Sequence, residues 1–272
     1  MTIETDKVLW SCPVCQSPLV NNAAGLGCEH GHQYDMAKQG YVNLLLANQK
    51  RSSEPGDSAE MVEARRNFLA AGHFSFLMQA IQACVEKYTS TSVCNLLDLG
   101  CGEGAYAHFL EQALPDINIH ACDISKYAVK RAASALSDAN VAVASNFNLP
   151  IQANSQDLVL AVFAPVNFDE LQRILKEGGV FVRVSPGEQH LMEIKHELYE
   201  TAHEHAPPQQ EKAEVIETIE VKKQVSLDNS ALENLLAMTP LNWRGNADAK
   251  ARLLEKDNME VQFDFLIQVM RC

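Results

Sequence analysis

The sequence predicts an α/β domain, with a mostly parallel sheet and helices on both faces, behind a small N-terminal unit that has little core of its own. Three observations carry this. From Cys94 onward, short apolar runs alternate with amphipathic segments, the order of strand and crossover helix that parallel pairing requires. A glycine-rich turn, Gly100-Cys101-Gly102-Glu103-Gly104, follows the first of those runs and opens the first helix. Cys12, Cys15 and Cys28 crowd together at the front, whereas the other five of the eight cysteines are scattered.

Each element has a local reason. Residues 8 to about 46 hold the clustered cysteines, several glycines and short β-prone runs. Residues 50–56 (Lys-Arg-Ser-Ser-Glu-Pro-Gly) are polar and read as a loop. Asp57 or Ser58 caps a helix through about Ala71, ended by Gly72. A second helix, from about Phe74 to Tyr88, sets Leu77, Ala80, Ile81, Cys84 and Val85 on one face. Strands are expected at 94–99, 117–123, 141–145, 157–163 and 180–185, with helices at 105–114, 126–136 and 169–175. Gly178-Gly179 turns the chain into the last of those strands. Residues 188–205 read as helical, and the runs 217–227 and 261–270 complete the sheet edge.

Composition narrows the classes. A chain of 272 residues, 47% hydrophobic and 21% charged, suits a soluble catalytic domain plus a small appendage. No apolar run is long enough to span a bilayer, so no membrane partner is expected. The acidic start, Met1 to Asp6, lacks the order of a signal peptide, which makes cytoplasmic the expected location. A formal net charge of −13 argues against a general nucleic-acid coat and leaves room for a local basic cleft. Without an export signal, the cysteines are not expected to form a disulfide framework.

Cys12-Pro13-Val14-Cys15, twelve residues, then Cys28-Glu29-His30-Gly31-His32 has the spacing of a metal site. Two cysteines on one tight turn and a second pair from a returning loop close a tetrahedron around one structural zinc, leaving no open position. The expected ligands are Cys12, Cys15, Cys28 and His32, because Gly31 can turn the chain; His30 is the alternative fourth ligand. Metal binding would supply the folding energy of so small a unit. The expected division is a zinc-binding module at 1–49, a linker with helices at 50–92, and a catalytic domain at 93–272.

The glycine turn admits two ligands by spacing. As Gly100-x-Gly102-x-x-Ala105 it meets the loose dinucleotide fingerprint, with Asp123 near the position of the ribose-binding acid. Charge decides against it, since Asp98 and Glu103 would repel a pyrophosphate. S-adenosylmethionine (AdoMet) carries a positive ammonium and sulfonium and no phosphate, so carboxylates suit it. Asp123 would take the ribose hydroxyls, and Ser145-Asn146, ending the third strand, could meet the adenine edge. The site residues so assigned are Asp98, Gly100, Gly102, Glu103, Asp123 and Asn146.

This turn, Asp123, Asn148-Leu149-Pro150 and Leu175-Lys176-Glu177-Gly178-Gly179 together resemble a class I AdoMet-dependent methyltransferase, a Rossmann-like fold. More narrowly, the chain resembles the RlmA family, bacterial 23S rRNA guanine-N1 methyltransferases. The front half carries this in Cys12-Pro13-Val14-Cys15, His32-Gln33-Tyr34-Asp35-Met36-Ala37-Lys38, Gly40-Tyr41-Val42-Asn43-Leu44-Leu45 and Pro55-Gly56-Asp57-Ser58. Ala71-Gly72-His73, Pro186-Gly187, His190-Leu191-Met192-Glu193, Met238-Thr239-Pro240 and Trp243-Arg244 match as well, so the resemblance spans nearly the whole chain.

The resemblance implies a zinc module over the AdoMet domain, a homodimer, an RNA-binding cleft between the parts, and methylation of guanine N1 in the helix 35 hairpin region of 23S rRNA. It also implies AdoMet contacts from Phe74 and His190. Read alone, Phe74 is core at the start of an amphipathic helix and His190 a surface histidine. One stretch departs from the pattern. Where the family tends to read Arg-Ile-Tyr-Ala-Pro-Cys, this chain has Ala161-Val162-Phe163-Ala164-Pro165-Val166, so no catalytic base is assigned there. Phe163 is the candidate platform for a flipped base, and Lys38, Lys50, Arg51, Arg65 and Arg66 are candidate phosphate contacts. Two other readings stay open: a small-molecule methyltransferase with the zinc module as lid, and a non-catalytic zinc-dependent ribosome-binding module.

Overall fold

The computed structural model describes residues 8–50, 52–89, 93–206, 213–244 and 246–272. A small antiparallel sheet, β1 (Val20–Asn21), β2 (Gly25–Gly27) and β3 (Gln33–Asp35), opens the chain. The next strand, β4 (Tyr41–Asn43), leaves that unit and pairs in parallel with β7 (Asn140–Val143) at the edge of the main sheet. Helices α1 (Ala59–Ala70) and α2 (Ser75–Tyr88) follow, α1 capped by the Ser58 hydroxyl, which accepts from the Met61 amide at 3.3 Å. Glycine at 72, with φ +83°, ends it as the sequence suggests.

The alternating region then builds β5 (Cys94–Leu99), α3 (Ala105–Ala113), β6 (Ile117–Asp123), α4 (Lys126–Ala135), β7, β8 (Gln156–Val162), α5 (Phe168–Ile174) and β9 (Leu175–Pro186). In the eight-stranded sheet the order is β10-β11-β9-β8-β5-β6-β7-β4. The run from β4 to β9 is parallel, whereas β9, β11 (Asn258–Arg271) and β10 (Glu214–Asp228) pair antiparallel. Side chains alternate between two layers with a period of two: Leu96, Leu158, Leu160, Val180 and Val182 join one core, and Leu97, Leu99, Val159, Ala161 and Phe181 the other. Both faces are therefore covered, as the near-continuous apolar strands require.

Two local differences from the sequence reading matter. Of the 188–205 stretch, only α6 (Met192–Leu198) is helical, entered through Leu191 at φ +59°. Between the last two strands the chain inserts α7 (Asn229–Ala237), α8 (Leu241–Arg244) and α9 (Ala247–Leu253), for which no element was expected; α7 buries Leu232, Leu235 and Leu236 against the sheet.

The first unit is stitched to the larger domain. Trp10, 1% exposed, bridges to Ile151 and meets the buried His120 ring edge-on at 5.2 Å. The Ser11 amide donates to the Pro150 carbonyl at 2.8 Å, and the Gln152 amide to the Leu9 carbonyl at 2.9 Å. Asn148-Leu149-Pro150 has a local holder in α5: Glu170 accepts the Leu149 amide at 2.7 Å, and Arg173 donates to the Leu149 and Ile151 carbonyls at 2.8 and 2.7 Å. Among the described residues, no single helix is long and apolar enough to cross a membrane.

Candidate functional site

The four metal candidates converge. The ligand atoms of Cys12, Cys15, Cys28 and His32 all lie within 4.8 Å of one another. A tetrahedron with Zn–S near 2.3 Å and Zn–N near 2.0 Å has edges of about 3.8 Å between sulfurs and about 3.5 Å between sulfur and nitrogen. The Cys15 and Cys28 sulfurs are 3.7 Å apart, and His32 Nδ1 lies 3.5 Å from Cys12 Sγ and 3.3 Å from Cys28 Sγ. These three lengths match the edges of a zinc tetrahedron. His30 turns away, its Nδ1 3.1 Å from the Ser17 hydroxyl, and it is His32 that stands with the three sulfurs. Burial works to raise the Cys12 thiol, but the Tyr34 hydroxyl 3.1 Å away and the Cys15 and Val14 amides outweigh it and bring it down to about 6. Cys12 is thus a thiolate at neutral pH, the form a metal requires.

The glycine turn sits at the carboxyl ends of the parallel strands, where the order switches between β6 and β8 on either side of β5. Gly100, at φ +74°, is needed there: a Cβ would lie 2.5 Å from the Ala164 Cβ on the loop after β8. Asp123 organises the turn with both oxygens, accepting the Gly102 amide at 3.0 Å and the Ser125 amide at 2.8 Å. Asp98 is 1% exposed, and neither its Oδ2 nor the Glu103 Oε2 has a hydrogen-bond partner among the described residues. Burial, with Asp123 and Glu103 as like-charged neighbours, pushes the Asp98 carboxyl up to about 7. Burial also raises Glu103 and Asp123, opposed at Glu103 chiefly by Arg65 and at Asp123 by its two amide donors. Buried carboxylates with unused acceptor capacity suit a cationic ligand.

A zinc-ribbon family model described as RlmA, N-terminal, matches residues 10–53, and a methyltransferase domain model matches residues 97–183. A Streptomyces fradiae protein named 23S rRNA (guanine(748)-N(1))-methyltransferase is 32% identical, covering 89% of this chain and 88% of its own. The chain belongs to the RlmA family of 23S rRNA (guanine-N1)-methyltransferases. A Bacillus subtilis protein, provisionally described as a guanine-N1 methyltransferase of 23S rRNA, is 30% identical over 95% of each chain. One from Micromonospora griseorubida, with a description of the same kind, is 35% identical over 67% of each. The sheet is accordingly a class I AdoMet-dependent methyltransferase fold, with AdoMet and one structural zinc as its cofactors.

In this RlmA-family chain an aromatic cluster walls the same end of the sheet. Phe74, 4% exposed, packs edge-on against Phe263 at 4.9 Å and Phe265 at 5.2 Å. The His190 ring is 4.7 Å from Phe265, and Phe163 is 5.5 Å from that same ring. Sequence reasoning missed Phe263 and Phe265, because their strand reaches the site only by pairing antiparallel with β9. That pairing also pins the His190 loop. The Gly187 amide donates to the Asp264 carbonyl at 2.8 Å, the Gln189 amide to Asp264 Oδ2 at 3.0 Å, and the Asp264 amide to His190 Nδ1 at 3.3 Å. Burial, aided by His205 and Lys195, lowers His190 to about 3, so the imidazole is neutral. Phe163 is 47% exposed and holds φ +55°, a strained value for a bulky residue. Asn146 donates to the Pro165 carbonyl at 3.1 Å, tying its turn to the Phe163 loop.

The basic residues separate. Lys38 and Lys50 are exposed, Arg66 is exposed and paired with Glu63 at 2.8 Å, and Arg51 lies outside the described residues. Arg65 is partly buried, its side chain 25% exposed. Its Nη2 pairs with Asp57 at 2.6 Å, and its Nη1 lies 3.5 Å from where a Gly102 Cβ would be. Helix periodicity separates Arg65 from its neighbour by about 100° and turns only one of the pair toward the crevice.

Proposed function

We propose that this chain methylates N1 of a guanine in 23S rRNA, in the helix 35 hairpin region, acting in the cytoplasm as a homodimer. The observation that carries the reading is the acid-lined glycine turn at the strand switch point, packed at Gly100 against the loop that carries Phe163. The names of the full-length relatives supply the substrate.

Asp123 takes the ribose hydroxyls in this reading, which its free acceptor capacity supports: each of its oxygens accepts one amide and keeps a lone pair. Asp98 and Glu103 face the cationic groups of the ligand. Asn146 spends its Nδ2 on Pro165, which leaves Oδ1 to accept from the adenine amino group. Phe74 and His190 line the cofactor, and neutral His190, with Nδ1 accepting from Asp264, keeps Nε2–H as its donor. AdoMet, when bound, supplies an activated methyl group. The chain's work is then alignment: the guanine N1–H bond breaks as N1 takes the methyl group, and the proton passes to water, no side chain being assigned as its acceptor. Phe163 stacks the extruded base, a role that fits its exposure and its held conformation.

The test is transfer of labelled methyl from AdoMet to protein-free 23S rRNA, mapped by primer extension, because N1-methylguanine blocks Watson–Crick pairing and stops the polymerase. A stop in helix 35 is expected. Methylation of free guanosine compounds as readily as of rRNA would replace this reading with the small-molecule one.

A further inference from the structure

Resting on the assignment of the glycine turn to AdoMet, we propose that Arg65 is the anion receptor of this site, its guanidinium pairing with the methionine carboxylate of AdoMet. The ligand poses a charge problem that the turn alone does not solve. Its sulfonium and ammonium suit Asp98, Glu103 and Asp123, but its carboxylate must enter the same acid-lined crevice. A helix N-terminus reached through a glycine turn ordinarily meets an anion with free backbone amides. Here the glycine and cysteine amides of the turn are committed. Gly100 and Cys101 both donate to the Cys122 carbonyl, at 2.8 and 3.0 Å, Gly102 donates to Asp123 at 3.0 Å, and Gly104 donates to the Cys101 carbonyl at 3.0 Å. The Ala107 amide serves Asp98.

Arg65 is placed to answer this. Its side chain is 25% exposed, and it is the cation that acts on both Glu103 and Asp123. Asp57 holds Nη2 at 2.6 Å while Nη1 lies against Gly102. Asp57 is itself anchored, because its carbonyl accepts the Ser125 hydroxyl at 2.7 Å, two residues beyond the ribose acid. One edge of the guanidinium is therefore fixed and the other presented to the turn, so the carboxylate is received without a rearrangement. Because Arg65 sits on α1, this contact joins the cofactor to the segment that connects the zinc module to the rest of the sheet.

Binding of AdoMet and of decarboxylated AdoMet, which keeps both positive groups and lacks the carboxylate, separates this role from a structural one. By calorimetry at pH 7.5, the wild type should prefer AdoMet by tenfold or more. Arg65→Gln should weaken AdoMet by about 10- to 150-fold, the range for hydrogen bonds to a charged group. The same variant should bind the decarboxylated ligand as well as the wild type does, or better, since the acids lose their cation. Equal weakening of both ligands, or an unchanged AdoMet affinity, overturns the proposal. A wild type that binds neither ligand overturns the cofactor assignment itself, and this inference with it. Should Arg65→Gln lose its cooperative melt, Arg65→Lys and the wild type make the same comparison. There, equal wild-type affinity for the two ligands is the overturning result.

Discussion

Asp98 gives the cofactor site a pH dependence that can be worked out in advance. Its carboxyl is buried under the glycine turn beside Asp123 and Glu103 and is pushed up from 3.8 to about 7. AdoMet brings two positive groups, so it binds the ionised form and must expel the proton from the neutral one. With the pKa at about 7, roughly 9% of the protein is ionised at pH 6 and roughly 76% at pH 7.5. The AdoMet dissociation constant should therefore fall about eightfold between those pH values. The window stops at about 7.5 because an α-amino group begins to lose its own proton near 8. Asp98→Asn should hold the weak, low-pH affinity across the window. The stability of the unliganded protein has the opposite sign. A carboxyl raised on folding keeps its proton longer in the native state, so its contribution is present below about 4 and is lost as pH rises through about 7. Calorimetric titrations of wild type and Asp98→Asn at pH 6, 6.75 and 7.5 decide the matter. Coincident pH profiles for the two proteins would refute the placement of this carboxylate against the cation.

Further outcomes follow from the same geometry. Native protein should carry one zinc per chain by metal analysis; Cys12→Ser, Cys28→Ser or His32→Ala should lose it and melt earlier, whereas His30→Ala should keep it. Asp123→Ala should weaken AdoMet by roughly 1.5–3 kcal/mol in a titration and also lower the melting temperature, because the Gly102 and Ser125 amides lose their acceptor. Trp10→Ala, emptying a site 1% exposed between the zinc unit and the sheet, should cost about 3–5 kcal/mol in denaturant unfolding. Phe163→Ala should raise KM for rRNA while leaving the AdoMet dissociation constant unchanged, measured by single-turnover methylation and calorimetry.

What could be read from the chain as written was whatever local spacing decides. The Cys-x-x-Cys turn and the returning Cys28–His32 loop each set ligands a few residues apart, so the metal site was legible before any fold was known. The strand, glycine turn and helix from Cys94 to Ala113, with Asp123 ending the next strand, are legible for the same reason: the elements are short and each has its own turn chemistry. Even the choice of AdoMet over a dinucleotide rested on Asp98 and Glu103, which flank the turn in sequence.

The tertiary structure decided what depends on contacts between distant segments. Nothing local marks Tyr41–Asn43 as the edge of the main sheet, since its partner lies about a hundred residues later. Phe263 and Phe265 look like any buried strand until pairing with β9 carries them beside Phe74 and His190. The choice between His30 and His32 turned on which imidazole the loop aims at the sulfurs, and side-chain direction is set by the fold around it. Arg65 is the clearest case. Its sequence neighbours make it one of four basic residues in a balanced, solvated stretch, but one helical face and the Asp57 anchor on Ser125 bring it against a turn 35 residues downstream. Sequence spacing specifies geometry over a few residues; beyond that, placement follows from which surfaces bury one another.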